Sequence, residues 1–544
     1  MTLELPAIRR AARETLGHRR LLPGQAEAIE AITSGRDTLA LLPTGGGKSA
    51  IYQLAGVSID GPTVVVSPLI ALQRDQLDGL RELELPSAAI NSTIPAGERE
   101  VALDAFATGS LEFLLLGPEQ LADGATMARV RAGRPSLLVV DEAHCVAEWG
   151  RDFRPEYRRL GRVAEELGRP PTLALTATAS PLLREEILER LGMRDPVVVA
   201  RGFDRPNITL DVESHADAAS RDRALVATVA DTSGTGIVYA GTRAATLELA
   251  ASLLDAGVSA APYHAGLGAR RRAETQETFM AGDARVIVAT IAFGMGIDKP
   301  DVRFVFHRDV SDSLDAYHQE IGRAGRDGEP AEAHLFYRAE DLGLRRFQAA
   351  PATFDEDDVR KVVRALRRVD GGERVVEAIA KAARLSRRRT DAIIGRLEEL
   401  DAVSTQSDGR VTPSDDLDGN AIAAAAVAGQ ERRRAVERSR IEMIRGYAET
   451  TGCRRAFLLG YFGEPFEPPC GNCDRCLSGS VVQATASSVD SSFEVNARVV
   501  HAMFGPGLVT AVDGARVTVA FENVGYRTLD ATTATDNGAL VAAD

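Results

Sequence analysis

The residues with the clearest chemical potential lie in one short run, Leu42 to Ser49, which reads Leu-Pro-Thr-Gly-Gly-Gly-Lys-Ser. The apolar run Thr38 to Leu41 precedes it, and a helix-compatible stretch follows it. Glycines let successive backbone N–H groups converge on an anion, while a lysine can reach terminal phosphates and a serine hydroxyl can bind Mg²⁺. The run therefore predicts a nucleotide-phosphate loop made by Thr44, Gly45, Gly46, Gly47, Lys48 and Ser49; a plain glycine-rich turn is the alternative.

Two carboxylates follow a second apolar run, Leu137 to Val140, in the sequence Asp141-Glu142-Ala143-His144. We expect Asp141 to hold Mg²⁺ opposite Ser49, and Glu142 to orient and deprotonate an attacking water. Acids also occur at helix N-termini for structural reasons alone. Their combination with a phosphate loop favours hydrolysis of a nucleoside triphosphate.

Two arginines, Arg323 and Arg326, stand three residues apart in the run Gln319 to Gly328. On a helical turn this spacing places both guanidinium groups on one side, and guanidinium suits the spread charge of a phosphoryl transition state. If that side closes on the nucleotide, both act as arginine fingers, which raise hydrolysis rates by roughly 10³ to 10⁵. A solvated basic turn is the alternative.

Four of the five cysteines are spaced as C-x16-C-x2-C-x2-C, at Cys453, Cys470, Cys473 and Cys476. Four thiolates suit tetrahedral zinc with no position left open for catalysis, so we expect a structural Zn²⁺ site. The C-x2-C-x2-C part also resembles an iron–sulfur run, which is the less favoured alternative. Cys145, beside the acidic pair, is expected to be a small core residue.

Length and charge limit the remaining possibilities. The 544 residues suggest three or four domains at about one domain per 150 residues. A net charge of -14 argues against nucleic-acid binding by bulk positive charge, so any basic surface must be local. One such segment is Glu431 to Arg455, which contains eight arginines and four glutamates. Ala421 to Gly429 is too short to span a membrane and Met1 to Arg20 lacks a signal-peptide core, so a cytoplasmic protein is expected.

The first 340 residues predict an alternation of buried strands and helices. Near-continuous apolar strands separated by helices imply parallel sheets covered on both faces. The segment Arg201 to Asn207 breaks this rhythm and marks the passage from a first α/β domain to a second. The predicted strands are Thr63 to Ser67, Leu111 to Leu116, Leu137 to Val140, Thr172 to Leu175, Gly236 to Tyr239, Val286 to Ala289, Val302 to Phe306 and His334 to Tyr337.

A mostly helical region follows, from about residue 354 to 450. Glu373 to Leu385 is amphipathic, Ser386 can cap a second helix, and Val403 to Thr412 has the pattern of a hairpin. This order predicts a winged helix, with Arg387 to Arg389 at a helix start where DNA-reading helices contact phosphates. A helical spacer with a solvated basic turn is nearly as well supported.

The C-terminal tail predicts a flexible linker and a small β-barrel. Ser478 to Ser492 is poor in large apolar residues, and Val495 to Val541 alternates apolar residues with glycine-containing turns. Val499, Phe504, Val509, Val517, Val519 and Phe521 are the candidate core. We expect a tethered adaptor that brings a protein or DNA partner close, or else a stabilising appendage.

Taken together, these motifs resemble the RecQ family of DNA helicases in helicase superfamily two. The likeness covers about residues 15 to 340 and resumes at 431 to 476. Its motifs are Pro23-Gly24-Gln25, the phosphate loop, Ser67 to Leu72 with Asp75-Gln76, Asp141 to Cys145, Trp149 to Pro155, Thr176 to Ala179, Tyr263 to Leu267, Thr290 to Lys299, the arginine pair and the cysteine element. The tail, from Ala497 onward, resembles the C-terminal barrel of UvrD-type helicases.

The resemblance implies further roles. Gln25 would read the adenine edge, Asp298 would contact the nucleotide or couple two lobes, and the loop with Trp149, Phe153 and Arg154 would contact DNA. ATP, Mg²⁺ and Zn²⁺ are the implied cofactors. Two departures stand out: Leu21-Leu22 replaces a usual Phe-Arg, which predicts weaker adenine binding, and Glu148 and Arg151 replace a usual Gln and His in the DNA-sensing loop.

The predicted architecture is α/β, with two tandem RecA-like lobes, a helical or winged-helix insertion, a zinc-binding helical platform and an SH3-like barrel. The expected boundaries are residues 1–200 and 201–345 for the lobes, 346–428 for the insertion, 429–480 for the zinc domain, 481–492 for the linker and 493–544 for the barrel. The implied activity is ATP-driven 3′ to 5′ movement on single-stranded DNA, with unwinding of duplex or branched DNA in repair or recombination. An ATP-driven translocase or annealing factor is the first alternative, and a non-enzymatic DNA-binding scaffold the second. The sequence does not indicate an oligomeric state.

Overall fold

The N-terminal half is built on two parallel sheets. The computed structural model describes residues 5–17, 20–43, 46–146, 155–294, 299–343, 353–369, 374–405, 409–414, 417–481, 493–513 and 516–543. The first sheet has the strand order β3-β4-β2-β5-β6-β1-β7, and the second β10-β11-β9-β12-β13-β8. All neighbouring strands within both sheets are parallel, as the apolar runs predicted.

The strands of the first sheet are β1 (Thr38–Leu41), β2 (Thr63–Val66), β3 (Ser87–Ile90), β4 (Phe113–Leu116), β5 (Leu137–Val140), β6 (Thr172–Thr176) and β7 (Val197–Ala200). Its helices are α1 (Leu5–Leu16), α2 (Gln25–Thr33), α3 (Lys48–Ser58), α4 (Ile70–Glu82), α5 (Ala96–Ala107), α6 (Pro118–Leu121), α7 (Gly124–Ala132), α8 (Leu160–Glu166) and α9 (Pro181–Arg190), with 3-10 turns at Ala143–Val146 and Pro155–Arg159. Every residue of its central strands is buried, which explains why these strands read as continuous apolar runs.

The second sheet contains β8 (Ile208–Ser214), β9 (Thr235–Tyr239), β10 (Ala260–Tyr263), β11 (Val286–Ala289), β12 (Val302–His307) and β13 (Ala331–Tyr337). Its helices are α10 (Ala218–Asp231), α11 (Arg243–Asp255), α12 (Ala269–Ala281) and α13 (Leu314–Ile321). Strands β3, β7, β8 and β10 were not predicted. All four are partly exposed at sheet edges. The alanine, serine or alternating polar residues of β3, β8 and β10 give no apolar run, whereas the short apolar run of β7 was not recognised as a strand.

The described part of the insertion contains three helices and a hairpin. They are α14 (Glu356–Arg368), α15 (Val376–Ala383), α16 (Arg387–Glu399), β14 (Val403–Thr405) and β15 (Val411–Pro413). The two strands pair antiparallel, and an antiparallel bridge joins Val375 to Arg410. The Ser386 side chain accepts the Arg389 N–H and caps α16. This is the element order of a winged helix, with its own buried core around Val359, Leu366 and Ile393.

A long helix connects the insertion to the cysteine element. It is α17 (Gly419–Glu449), and it is followed by α18 (Arg454–Tyr461) and α19 (Asp474–Leu477). None of the helices in the described ranges is both long and apolar enough to cross a membrane.

The tail forms a five-stranded antiparallel sheet with the order β19-β18-β17-β16-β20. Its elements are β16 (Arg498–His501), β17 (Gly505–Asp513), β18 (Arg516–Phe521), β19 (Gly525–Asp530), α20 (Ala531–Asp536) and β20 (Leu540–Ala542). Five of the six predicted core residues are buried, and Phe504 packs partly buried against them. The strand order is open, with β19 and β20 at its edges; we keep the name barrel for this unit, residues 493–543, from the prediction.

The barrel packs against the rest of the molecule, and its role as an adaptor for a partner stays a prediction. Tyr526 is buried and its ring stacks on Tyr461 of α18 at 4.8 Å between centroids. The Asn496 side-chain amide donates to the Gly463 carbonyl at 3.0 Å. A Cβ on Gly460 would lie 3.3 Å from Thr510, so glycine permits the close approach of α18 to the barrel.

Candidate nucleotide and zinc sites

The phosphate loop joins the end of β1 to the start of α3. Helix α3 begins at Lys48, with Ser49 in its first turn, and Gly47 precedes it with φ of 64°. A Cβ on Gly46 would lie 2.8 Å from the Pro43 carbonyl oxygen, so the tight turn requires glycine there. The Lys48 ammonium donates to the Leu42 carbonyl at 3.4 Å. Thr44 and Gly45 lie outside the described residues.

Gln25 braces this loop from the start of α2. Its side-chain Nε2 donates to the carbonyls of Gly46 and Gly47 at 3.1 and 3.0 Å, and its Oε1 accepts the Leu22 N–H at 2.8 Å. A Cβ on Gly47 would lie 2.6 Å from that Nε2. The resemblance implied contact with adenine, whereas the structure adds a role in holding the loop.

Asp141 stands at the carboxyl end of β5, the central strand beside β2 and β6. Its carboxylate accepts the Gln76 side-chain N–H at 2.6 Å and the Glu142 backbone N–H at 2.9 Å. Burial, followed by the charge of Glu142, raises the pKa of Asp141 to about 6, and nearby Lys48 opposes that shift. Gln76 was noted only as part of a motif, so its role in orienting this carboxylate was missed.

Glu142 has a positive φ of 47°, a backbone conformation that is unusual for a residue other than glycine. Such conformations cost roughly 1–3 kcal/mol and cluster at functional positions. Its carboxylate lies 3.3 Å from Nδ1 of His144, which in turn lies 3.0 Å from the Thr176 hydroxyl. Glu142 is therefore linked, through His144, to the loop that follows β6.

Arg326 lines a cleft between the two sheets that it shares with the phosphate loop. The cleft has a volume of about 280 Å³ and is lined by Leu22, Pro23, Leu42, Pro43 and Gly46 on one side and by Arg205, Asn207, Gly325, Arg326 and Gly328 on the other, with Arg201 and Gly202 between them. Arg323 is buried and neighbours Tyr239 and Gly294. Of the two predicted arginine fingers, Arg326 is thus the one that faces the cleft.

The four predicted zinc ligands come together. The sulfur atoms of Cys453, Cys470, Cys473 and Cys476 all lie within 4.8 Å of one another, and none forms a disulfide. The Sγ atoms of Cys470 and Cys476 are 3.8 Å apart, which matches the edge of about 3.8 Å expected for a tetrahedron with Zn–S bonds of about 2.3 Å. Burial raises the pKa of Cys470, a penalty on the thiolate that a bound Zn²⁺ offsets. The donor set fits structural zinc.

Three family models match the chain in order: DEAD/DEAH box helicase over residues 22–185, helicase conserved C-terminal domain over 221–328 and RecQ zinc-binding over 416–477. The probable ATP-dependent DNA helicase RecS of Bacillus subtilis is 36% identical over 455 residues, which cover 83% of this chain and 88% of that protein. The chain belongs to the RecQ family of ATP-dependent DNA helicases.

Other relatives place this RecQ-family chain among larger proteins. The ATP-dependent DNA helicase RecQ of Haemophilus influenzae is 32% identical over 475 residues, but the match covers 87% of this chain and only 64% of that protein. Among solved structures, helicase MrfA bound to DNA has a TM-score of 0.51 at 16% identity, covering 78% of this chain and 64% of its own. Yeast Dbp5 bound to RNA and ADP BeF3 has a TM-score of 0.50 at 17% identity, covering 64% and 92%. These structural likenesses concern the fold.

Part of the predicted site cannot be located in this RecQ-family chain. Trp149, Phe153 and Arg154 lie in the range 147–154, and Asp298 lies in 295–298; both ranges fall outside the described residues. The roles implied for these four residues stay predictions.

The predicted basic segment Glu431 to Arg455 is less available to DNA than its net charge suggests. Arg433 pairs with Glu399 at 2.8 Å, Arg454 pairs with Asp474 through two nitrogens, and Arg455 pairs with Asp204. Arg454 and Arg455 are buried. These arginines join the zinc platform to its neighbours, so the net charge of the segment overstates the number of cations available to phosphates.

Proposed function

We propose that this protein moves 3′ to 5′ along single-stranded DNA, driven by ATP hydrolysis, and unwinds duplex or branched DNA in repair or recombination. The observation that carries the proposal is the cleft shared by the phosphate loop and Arg326, because ATP bound there would contact both lobes. Hydrolysis would then change the separation of the lobes, which is how a two-lobed motor steps.

In this proposal, the first lobe binds the nucleotide and activates the attacking water, and the second lobe completes the site with Arg326. Lys48 and the loop N–H groups would hold the phosphates, and Ser49 and Asp141 would hold Mg²⁺, which neutralises phosphate charge when bound. Glu142 would orient the attacking water and take its proton. Arg326 would stabilise the charge that develops on the transferred phosphoryl group.

A chain of contacts supports coupling between Glu142 and the second lobe, beginning with the 3.3 Å approach of the Glu142 carboxylate to His144. The Thr176 hydroxyl that contacts His144 also donates to the Thr178 carbonyl at 3.1 Å. Two residues later, the Ser180 N–H donates to the Asp315 carboxylate of α13 at 2.9 Å. Helix α13 leads directly into the turn that carries Arg326, so these contacts run from the neighbourhood of the Glu142 carboxylate to the helix before the arginine.

For DNA, we propose single-strand contact at Trp149, Phe153 and Arg154, and duplex contact at the winged helix. Helix α16 has an unusual charge order, with Arg387 to Arg389 at its N-terminus and Glu398-Glu399 at its C-terminus. This order opposes the helix dipole, at a cost of roughly 0.3–1 kcal/mol per group. The acidic end of α16 contacts the first lobe, because Glu398 pairs with Arg159 and Glu399 pairs with Arg190.

The basic end of α16 and the residues before it remain at the surface. Lys381, Arg384, Arg387 and Arg388 are exposed around the turn between α15 and α16. Arg387 pairs with Glu377 at 2.6 Å. Phosphates would offset the unfavourable dipole at this end of α16. A winged helix docked by its acidic end, with its basic end outward, would hold the duplex ahead of the motor.

The proposed setting is the cytoplasm, where reduced cysteines can bind zinc, and no membrane contact is proposed. A protein partner could bind the barrel at the exposed apolar side chains Val500, Met503 and Val541. Replacing Met503 with Asp should then weaken the capture of that partner while leaving DNA-stimulated hydrolysis unchanged.

The deciding experiment measures ATP hydrolysis and strand separation on 3′-tailed, 5′-tailed and forked DNA, with Lys48→Ala as the inactive control. We expect unwinding of the 3′-tailed and forked substrates and little on the 5′-tailed one. DNA-stimulated hydrolysis without strand separation would support a translocase or annealing factor instead. DNA binding with no hydrolysis above the control would leave only a scaffold.

A further inference from the structure

The turn that carries Arg326 is held by a residue of the segment between the two sheets. The Arg205 guanidinium donates three hydrogen bonds to its carbonyls: Nη1 to Gly322 at 2.9 Å, and Nη2 to Ala324 at 2.7 Å and Gly325 at 2.9 Å. Helix α13 ends at Ile321, so these carbonyls belong to the helix end and the turn beyond it. The last carbonyls of a helix lack donors within the helix, and a cation suits that end of the dipole.

Asn207 closes the same turn from the other side. Its side-chain amide donates to the carbonyls of Gly325 and Glu329, both at 2.9 Å. Gly325 has φ of 56°, and a Cβ on it would lie 2.4 Å from that amide nitrogen. Five hydrogen bonds from Arg205 and Asn207 therefore define the turn that presents Arg326.

The segment that supplies these donors is itself fixed. The Phe203 N–H donates to Glu464 at 3.0 Å, its carbonyl accepts Nε2–H of His318 at 2.9 Å, and its ring stacks on Phe462 at 4.8 Å. Burial lowers the pKa of His318 to about 4, so a neutral imidazole makes this bond at physiological pH. Asp204 pairs with Arg455 of the zinc platform.

The other end of the segment reaches the phosphate loop. The Arg201 N–H donates to the Leu41 carbonyl at 3.1 Å, at the last residue of β1. Residues 201–207 thus run from the loop that holds phosphates to the turn that carries Arg326, with the zinc platform in contact between them.

We propose that Arg205 is a positioning residue for ATP hydrolysis, which holds the Gly322 to Gly325 turn so that Arg326 faces the nucleotide. The role rests on the proposed function, since Arg326 matters only if the cleft hydrolyses ATP. Arg205 lines the same cleft, but three of its five N–H groups are committed to the turn. It acts through Arg326 and leaves nucleotide binding to the first lobe.

A double-mutant cycle with Arg326 tests this role. Arg205→Gln should lower the DNA-stimulated kcat by about 10- to 100-fold, the scale expected when a catalytic group is misplaced by about 1 Å. The affinity for a fluorescent ADP analogue should stay within about twofold. Because Arg205 acts through Arg326, Arg205→Gln combined with Arg326→Ala should be no slower than Arg326→Ala alone.

Arg285 offers a matched control, because its guanidinium also donates to the carbonyls that follow a helix end. It bonds the carbonyl of Val229 in the last turn of α10 and those of Thr232 and Gly234 beyond it, and none of these residues lines the nucleotide cleft. Arg285→Gln should reduce the melting temperature as much as Arg205→Gln does, yet leave kcat unchanged. An equal loss of kcat in both variants would show that Arg205 is only structural.

Hydrogen exchange at residues 322–328 gives a readout that does not depend on activity. Arg205→Gln should speed amide exchange in this turn, while Arg285→Gln should not. Unchanged exchange, multiplied losses in the double variant, or a large loss of ADP affinity in Arg205→Gln would each overturn the positioning role. A wild-type protein without DNA-stimulated hydrolysis would instead refute the proposed function, whatever the exchange result.

Discussion

At the scale of single residues, the hydrolytic centre combines a strained backbone with a buried carboxylate. Glu142 keeps a φ of 47°, and the contacts of its neighbours explain why the strain persists. The Asp141 carboxylate accepts its N–H, and the Tyr157 hydroxyl donates to the Asp141 carbonyl at 3.2 Å. These two hydrogen bonds hold the unusual backbone conformation, and that conformation fixes the direction in which the Glu142 carboxylate points.

Glu142→Gln should separate ATP binding from hydrolysis. The amide keeps the size of the side chain but cannot take a proton, so we expect kcat to fall by about 10² to 10⁴. Binding of a fluorescent ADP analogue should persist, because the phosphates are held by the loop and Lys48. Lys48→Ala should lose both. Turnover within a few-fold of wild type in Glu142→Gln would show that another group activates the water.

Gln25→Ala should weaken nucleotide binding through the phosphate loop. Each hydrogen bond contributes about 1 kcal/mol, and two bonds hold the Gly46 and Gly47 carbonyls. We therefore expect the KM for ATP to rise by about 5- to 30-fold, with a smaller effect on kcat. Adenosine and guanosine triphosphate should be compared in both proteins: an equal loss for both bases indicates loop support, and a loss confined to ATP indicates adenine recognition alone.

At the scale of elements, the zinc platform is expected to stabilise the second lobe. The Leu210 N–H of β8 donates to the Asn472 carbonyl at 3.3 Å, and the Thr209 hydroxyl donates to the Asn472 side chain at 2.8 Å. The segment Cys470 to Cys476 thus lies against the edge strand β8 of the second sheet. Loss of the metal should loosen that edge, because the binding energy of structural zinc is coupled to folding.

Cys473→Ser should remove zinc and lower solubility and DNA affinity, while much of the nucleotide binding remains in the first lobe. Metal analysis and the melting temperature measure the first effects, and ADP-analogue binding measures the last. Cys145→Ser is the matched control, since Cys145 is buried but lies apart from the metal ligands. Iron with visible absorbance, or full stability without any metal, would contradict the zinc assignment.

The winged-helix surface gives a second element-scale expectation. Arg387→Gln combined with Arg388→Gln should weaken duplex binding and flatten its salt dependence by about 0.9 for each DNA phosphate that the variant no longer neutralises. Single-strand-stimulated hydrolysis should change little, because that surface lies away from the cleft. Arg364→Gln on α14 is the control: its guanidinium is also exposed and lies 3.8 Å from Asp357. An unchanged slope would make the basic turn of α16 a solvated surface only.

Local patterns predicted elements well and distant contacts poorly. Ser386 caps α16 as predicted, because a cap depends on residues within one turn. By contrast, Arg433, Arg454 and Arg455 counted toward a basic segment, since a sequence gives their charge but not the carboxylates that pair with them. Glu399, Asp474 and Asp204 approach only when the chain folds.

At the scale of the whole molecule, the barrel covers a junction between both lobes. Asp315 of α13 accepts the Ser180 N–H from the first lobe and, at 2.5 Å, the hydroxyl of Tyr461. Tyr526 of the barrel stacks on Tyr461, and burial raises the pKa of both phenols. A Cβ on Gly525 would lie 1.9 Å from the Ser439 hydroxyl of α17, so the fit tolerates no side chain. The alternation in the tail predicted the barrel core but not this outer surface.

Truncation after Ser480 removes the barrel, which exposes Tyr461 and loosens the contact between Ser180 and Asp315. It should therefore lower the melting temperature and reduce DNA-stimulated hydrolysis. Tyr526→Ala in the full chain should reproduce much of this effect, at about 3–5 kcal/mol for a buried aromatic ring, whereas Tyr526→Phe keeps the stacking and should be mild. Val541→Ala, at an exposed position of the barrel, is the control. Differential scanning calorimetry and hydrolysis assays on short single-stranded DNA measure both quantities. A truncated protein with unchanged melting and turnover would show that the barrel is a separable adaptor after all.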